Sequence, residues 1–257
     1  MNPYLIDTHT HLYVEEFDGD RSIVIARAKN EGVQKLYLPS IDSTATDALL
    51  ALEQQYPDLC IAMMGLHPCY VKDNYKEELA HVRSWLEKRK FAAVGEIGLD
   101  YYWDRNFDEQ QKEAFSTQIE WAKEFNLPIV IHSRESMDDC IDLVAAARAD
   151  NLRGIFHCFT GTLEQAARII DLGFYLGIGG VVTYKKSDLP SVLSQVSLEH
   201  LVLETDSPYL PPVPFRGKRN ESSYIKYVAA KLAEIKGVSV EEVASITTKN
   251  AQNIFGS

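Results

Sequence analysis

The sequence predicts a single (β/α)₈ barrel over 1–257, with extra helices at its C-terminal end. Three observations predict it. Eight short β-type runs alternate with longer segments of helical period, the pattern of a parallel sheet covered by helices. The length of 257 residues matches one such barrel. No linker rich in Pro or Gly, low-complexity stretch or internal repeat divides the chain.

The strand candidates are 4–7, 35–39, 60–65, 92–97, 128–132, 154–157, 174–178 and 201–204. Segments 20–30 and 43–55 lie between them, read as helices, and carry a capping-type residue at or near the start. In 108–125, Phe115, Ile119, Ala122 and Phe125 recur near helical spacing. Segment 162–172 ends at Gly173, a helix stop. After the Pro-rich 208–214, the polar 216–223 is expected as a loop over the barrel mouth, followed by terminal helices over 224–236 and 240–255. Eight units in this length favour a closed barrel over an open doubly wound sheet.

Composition narrows the classes of function. Hydrophobic content of 46% and charged content of 25% are those of a globular protein, and no stretch is apolar for long enough to span a bilayer. The N-terminus has no basic region followed by an apolar run, so no targeting segment or membrane partner is expected and the cytoplasm is the default. A monomer is expected. Cys60, Cys69, Cys140 and Cys158 form no CxxC and read as reduced thiols. A net charge of −11 argues against a protein that coats nucleic acid through a broad basic face. It leaves room for a nuclease whose cations are local to one cleft.

In barrels of this kind, chemistry sits where strands end and their loops begin. His9 and His11 follow the first run, Glu96 lies in the fourth, His132 and His157 end the fifth and sixth, and Asp206 follows the eighth. Five strands thus deliver metal-ligand side chains to one rim. Residues two apart on a strand share a face, so His9 and His11 can reach one ion. An HxH alone is weak; its force comes from the later strand ends. Glu96 is a carboxylate in an apolar strand, costly to bury unless paired or coordinated, and a bridge between two cations meets that need. Asp206 fits a ligand that is also a general base, the alternative being a turn residue. The reaction expected is metal-assisted hydrolysis, with Asp206 and Glu96 as catalytic residues.

Other residues are candidates for substrate contact. His67 lies just past the third strand, Glu204 stands beside Asp206, and Arg134 is two residues beyond His132. Arg216, Lys218 and Arg219 form a basic cluster that suits phosphate, or simply a solvated loop. Tyr101, Tyr102 and Trp103 could stack a base or pack the rim. His81 and His200 read as solvated, Cys69 and Cys158 as structural thiols.

These residues fall in Asp7-Thr8-His9-Thr10-His11-Leu12, Gly65-Leu66-His67-Pro68, Gly95-Glu96-Ile97-Gly98-Leu99-Asp100-Tyr101, Ile131-His132-Ser133-Arg134, Phe156-His157-Cys158-Phe159-Thr160-Gly161 and Glu204-Thr205-Asp206-Ser207-Pro208-Tyr209-Leu210. In that order, the motifs resemble the TatD-type metal-dependent deoxyribonucleases of the amidohydrolase superfamily. The resemblance implies two divalent cations (Zn, Mn or Mg) on His9, His11, Glu96, His132, His157 and Asp206, with Glu96 bridging. It also implies cleavage of DNA, single-stranded or at 3′ ends. The alternative within the superfamily is an ester or amide hydrolase, for example a D-aminoacyl-tRNA deacylase; a non-catalytic binding module is a third class. The chain departs from the family pattern at Cys69, where a second histidine is common, and at Ser222, where proline is common.

Overall fold

Each apolar run becomes a strand in the computed structural model, which describes residues 4–256; residues 1–3 and 257 of the expected domain lie outside the described residues. The strands are β1 (Leu5–Asp7), β2 (Val33–Leu38), β3 (Cys60–Ala62), β4 (Val94–Asp100), β5 (Ile129–Arg134), β6 (Gly154–Phe156), β7 (Tyr175–Ile178) and β8 (Leu201–Leu203). Helices α1 (Arg21–Asn30), α2 (Thr46–Gln55), α3 (Tyr75–Lys88), α4 (Asp108–Phe125), α5 (Met137–Ala146), α6 (Leu163–Asp171) and α7 (Leu189–Leu193) connect them, and α8 (Ile225–Lys236) and α9 (Val240–Phe255) follow.

All strand pairs are parallel, in the orders β1-β2-β3 and β4-β5-β6-β7-β8. Two isolated parallel bridges, Met64 with Val94 and Thr10 with Ser207, join these two sheets at both seams. Backbone bonds reinforce the seams: Gly95 N donates to Met64 O at 3.0 Å and Thr8 N to Leu203 O at 3.0 Å. The sheet is therefore closed, as expected, and closure leaves no free edge.

Side chains on a strand alternate between the interior and the helix layer. Ile6, Tyr37, Met63, Ala93, Val130, Ile155 and Val202 form an interior cluster with Ala251 and Ile254 of α9. Phe255 stacks on Tyr37 at 3.9 Å, so α9 seals that end of the barrel. The alternating residues, such as Leu36, Ile129, Phe156 and Leu201, pack outward with the helices. Each fully buried aliphatic contributes about 1.5–3 kcal/mol, enough for the cluster to fix strand register.

Register dictates the opposite end. Two residues beyond Val130, Ile155 and Val202 stand His132, His157 and Glu204, on the same inner face. A Cβ on Gly177 would lie 2.2 Å from Glu204 Oε2, so only glycine leaves room for that carboxylate. In β4 the pairing steps from Gly95–Val130 to Ile97–Ile131 and skips Glu96, a bulge that re-aims its side chain.

Two expected caps are used otherwise. Asp20 makes no side-chain cap bond to α1; its carboxylate takes Arg219. Ser43 bonds Glu78, and Asp42 accepts Ala45 N ahead of α2. Thr162 and Gln165 do form a capping box on α6. Among the described residues no helix is long and apolar enough to cross a membrane, and all four cysteines are free.

Candidate metal centre

Glu96 sits at the centre of the mouth, 2 % exposed, with five imidazoles around it. Its Oε2 lies 3.1 Å from His9 Nε2 and 3.5 Å from His11 Nε2. Its Oε1 lies 2.9 Å from His132 Nδ1, 3.3 Å from His67 Nε2 and 3.4 Å from His157 Nε2. Asp206 Oδ1 joins the Oε2 side, 3.5 Å from His11 Nε2 and 3.8 Å from His9 Nε2. One carboxylate thus faces two separate donor sets.

Hydrogen bonds on the far side of each ring assign its tautomer and hence which nitrogen keeps a lone pair. Tyr13 commits its only proton to Pro39 O at 2.6 Å, so at 2.9 Å its oxygen accepts from His11 Nδ1–H, leaving Nε2 free. His157 Nδ1 donates to Glu204 Oε1 at 3.1 Å, and its Nε2 faces the centre. His132 is reversed: Nε2 donates to Asp100 Oδ2 at 2.8 Å and Nδ1 faces Glu96. His67 differs in kind. Its Nδ1 accepts from Cys69 N at 3.0 Å, so its Nε2 carries the proton and is a donor.

Acceptors converge on His9. Its Nε2 stands 3.2 Å from His11 Nε2 and 3.1 Å from Glu96 Oε2, a pair that either a proton on His9 or a bound cation would satisfy. Ligand atoms of His9, His11 and Asp206 lie within 4.8 Å of one another, as do those of His9, Glu96 and His157. The donor set fits divalent cations on His9, His11, His132, His157, Glu96 and Asp206. His67, Glu96 and His132 also cluster within 4.8 Å, but the tautomer of His67 makes it a hydrogen-bond donor there.

Electrostatics agree with a site built for positive charge. Burial works to raise the Glu96 carboxyl, yet the neighbouring His67, His9 and His157 hold it well below the usual range. Asp206 is lowered against burial by His11 beside it and by the other surrounding imidazoles. Burial opposes the charged form of His157, and Glu204 and Glu96 overcome it, raising His157 to about 10. Asp206 is 14% exposed against 2% for Glu96 and 0% for Glu204, so it is the carboxylate that faces incoming substrate.

The structure brings the six expected ligands together with His67. Two substrate assignments need correction. Glu204 is fully buried, accepting from His157 Nδ1 and from Cys158 N at 2.6 Å, and so orients His157 from behind. Arg219 grips Asp20 at 2.7 and 2.8 Å, bonds Glu16 O and lies over Phe17, tying the loop to α1. Arg216 and Lys218 are exposed, as is Arg134, whose guanidinium lies 3.6 Å from the Tyr102 ring centroid. Tyr102 and Trp103 are exposed at the rim, whereas Tyr101 is buried and bonds Asp139.

Sequence reasoning missed three supports. Asp100 orients His132, and the argument that singled out Glu96, a carboxylate in an apolar strand, applied equally to it. Tyr13 orients His11 from two residues along. Asp7, pushed up to about 7 by burial, holds Thr205 N and Oγ1 at 2.9 and 2.6 Å, fixing the turn before Asp206. The two departures are built in. Cys69 supplies the N–H that sets His67, its thiol pushed up to about 12 by burial and by Asp100. Ser222 is buried and its hydroxyl donates to Thr10 Oγ1 at 3.3 Å.

A sequence profile described as "TatD related DNase" matches residues 6–256. The chain belongs to the TatD family. It is 43% identical over 252 residues, covering 98% of each chain, to the uncharacterized metal-dependent hydrolase YabD of Bacillus subtilis. It is 35% identical over 254 residues to the uncharacterized metal-dependent hydrolase YjjV of Escherichia coli, covering 97% of each. The crystal structure of that TatD homologue superposes with a TM-score of 0.93 over 98% of both chains. A phosphotriesterase homology protein of Escherichia coli, with phosphate in its active site, shares the fold at a TM-score of 0.74 and 15% identity. As a TatD family member, the chain is a metal-dependent hydrolase.

Proposed function

We propose that this hydrolase cleaves phosphodiester bonds of DNA, single-stranded or at 3′ ends, with two divalent cations (Zn²⁺, Mn²⁺ or Mg²⁺). The division of Glu96 carries this reading: one oxygen lies nearest His9 and His11, which Asp206 also approaches, and the other lies nearest His132, His67 and His157. Cations bound there would supply Lewis acidity toward a phosphoryl oxygen and acidify water. Asp206, the mouth-facing carboxylate, takes the proton of the attacking water. His67, a donor whose Nε2–H lies 3.3 Å from Glu96 Oε1, would turn to an oxygen of the phosphate once cations engage that carboxylate, and would stabilise the charge that develops there. Arg134, one face covered by Tyr102, offers its free edge to a flanking phosphate, and Trp103 offers a ring to a base.

The test compares single-stranded DNA with D-aminoacyl-tRNA as substrates for purified protein in defined Mg²⁺, Mn²⁺ or Zn²⁺. DNA should be cleaved, and Asp206→Asn should reduce the rate by about 10²–10⁴-fold. Deacylation of the tRNA with DNA left intact would transfer the same site to ester chemistry.

A further inference from the structure

Two loops at the mouth, one after β7 and one after β8, enclose a groove of about 590 Å³ whose walls include Val181, Tyr184, Lys185, Lys186, Val213 and Arg216. The loops are pinned to each other: Val213 N donates to Thr183 Oγ1 at 2.9 Å and Tyr184 Oη to Pro211 O at 3.1 Å. The groove is therefore held in shape, and the second of its loops follows directly on Asp206. Burial pushes the Tyr184 phenol up, and Asp206 and Cys158 are close enough to act on it in the same direction.

Its charge is positive on a chain that is acidic as a whole. The chain has 37 acidic and 26 basic residues, and most of its arginines hold carboxylates, among them Arg27, Arg83, Arg89, Arg168 and Arg219. Lys185, Lys186 and Arg216 are exposed, and among the described residues none of them has a carboxylate within 4.0 Å. The Arg216 guanidinium lies over Tyr184, 3.8 Å from the ring centroid, and its N–H groups hold no carboxylate among the described residues, so they can take an anion. Three cations free of carboxylates, one of them over an aromatic ring, line one fixed groove, and these are the parts that hold the backbone and a base of a single strand. Loops after the seventh and eighth strands are also where barrels of this class commonly seat phosphate.

We propose that this groove is a second anion subsite that holds the phosphodiester backbone flanking the linkage being cut. It rests on the phosphodiesterase reading and makes the substrate a strand rather than a small ester. Arg134 ends β5, separated from β7 by β6, so the two basic positions would hold the strand at two points along the rim.

The test is the combined variant Lys185→Ala, Lys186→Ala, Arg216→Ala in metal-loaded protein, with a melting curve to show that the fold is kept. KM for an oligodeoxythymidylate should rise about tenfold or more with kcat little changed, while hydrolysis of bis(p-nitrophenyl) phosphate stays as in the parent. Binding of the labelled oligonucleotide, followed by anisotropy, should lose salt dependence, its log–log slope falling by about 2 (three charges at roughly 0.7 each). Unchanged KM and slope, with both substrates still hydrolysed, would overturn the groove and leave the phosphodiesterase reading standing. Hydrolysis of neither substrate under any metal would overturn that reading and the groove with it.

Discussion

The two sides of Glu96 are built from the same side chains but backed differently. On the Oε1 side the two candidate ligand imidazoles lean on carboxylates, His132 on Asp100 and His157 on Glu204. On the Oε2 side His11 leans on the phenol of Tyr13, and His9 Nδ1 is buried with no hydrogen-bond partner among the described residues. Tyr13 stays neutral, since burial and then Glu96 hold its phenol well above 10. An imidazole that donates to a carboxylate is a stronger base and a better ligand than one that donates to a neutral oxygen. The Oε1 side should therefore hold its cation more tightly. The Oε2 side, which includes the more exposed Asp206, should exchange its cation more readily. Depth and backing set retention on one side and access on the other.

Removing the shared element tests the comparison most severely. Glu96→Gln takes negative charge from both donor sets at once, so metal content should fall on both sides and activity should drop to background. Elemental analysis after gel filtration checks it. Retention of one full equivalent of metal would show that Glu96 serves one side only.

The backing carboxylates come next. In Asp100→Asn the oxygen that accepts Tyr102 N and Trp103 N is kept, which turns the new NH₂ toward His132 Nε2. A donor facing that nitrogen forces the proton to Nδ1 and removes the lone pair that faces Glu96, so affinity on the Oε1 side should fall by about 100-fold. Glu204→Gln can keep its bonds to His157 and Cys158 N while losing charge, and about tenfold is expected. Titration calorimetry should show only the tighter step weakened in both variants. Gly177→Ala reaches the same carboxylate through space, because the added Cβ meets Glu204 Oε2. Thermal denaturation should show about 1–3 kcal/mol of lost stability, with the tighter step again affected.

How much of this was legible depended on separation along the chain. The barrel was readable because eight apolar runs repeat with helical segments between them. The upper ends of β4 and β5 were not, since they continue through Asp100 and Arg134, polar residues at the mouth that an apolar pattern cannot report. The six candidate ligands were readable as His, Asp and Glu in or just beyond the apolar runs. Glu204 was misjudged because position at a strand end does not separate inward from outward; counting two from the interior Val202 does. Arg219 was misjudged because its partner Asp20 lies 199 residues away. Lys185 and Lys186 carried no signal until folding set them beside Arg216.

The smallest expected effect is the most discriminating. Tyr13→Phe removes one hydroxyl and leaves His11 Nδ1–H and Pro39 O without that link, at about 1 kcal/mol per lost bond. The ring still fills its buried position, so the fold should persist with a small fall in melting temperature. Because Tyr13 lends His11 orientation but no charge, affinity on the Oε2 side should weaken by less than about tenfold, below either carboxylate variant. The looser calorimetric step should move and the tighter one should not. A loss as large as that of Asp100→Asn would mean that fixing a ring's tautomer matters more than the charge behind it. The asymmetry between the two sides would then rest on geometry alone.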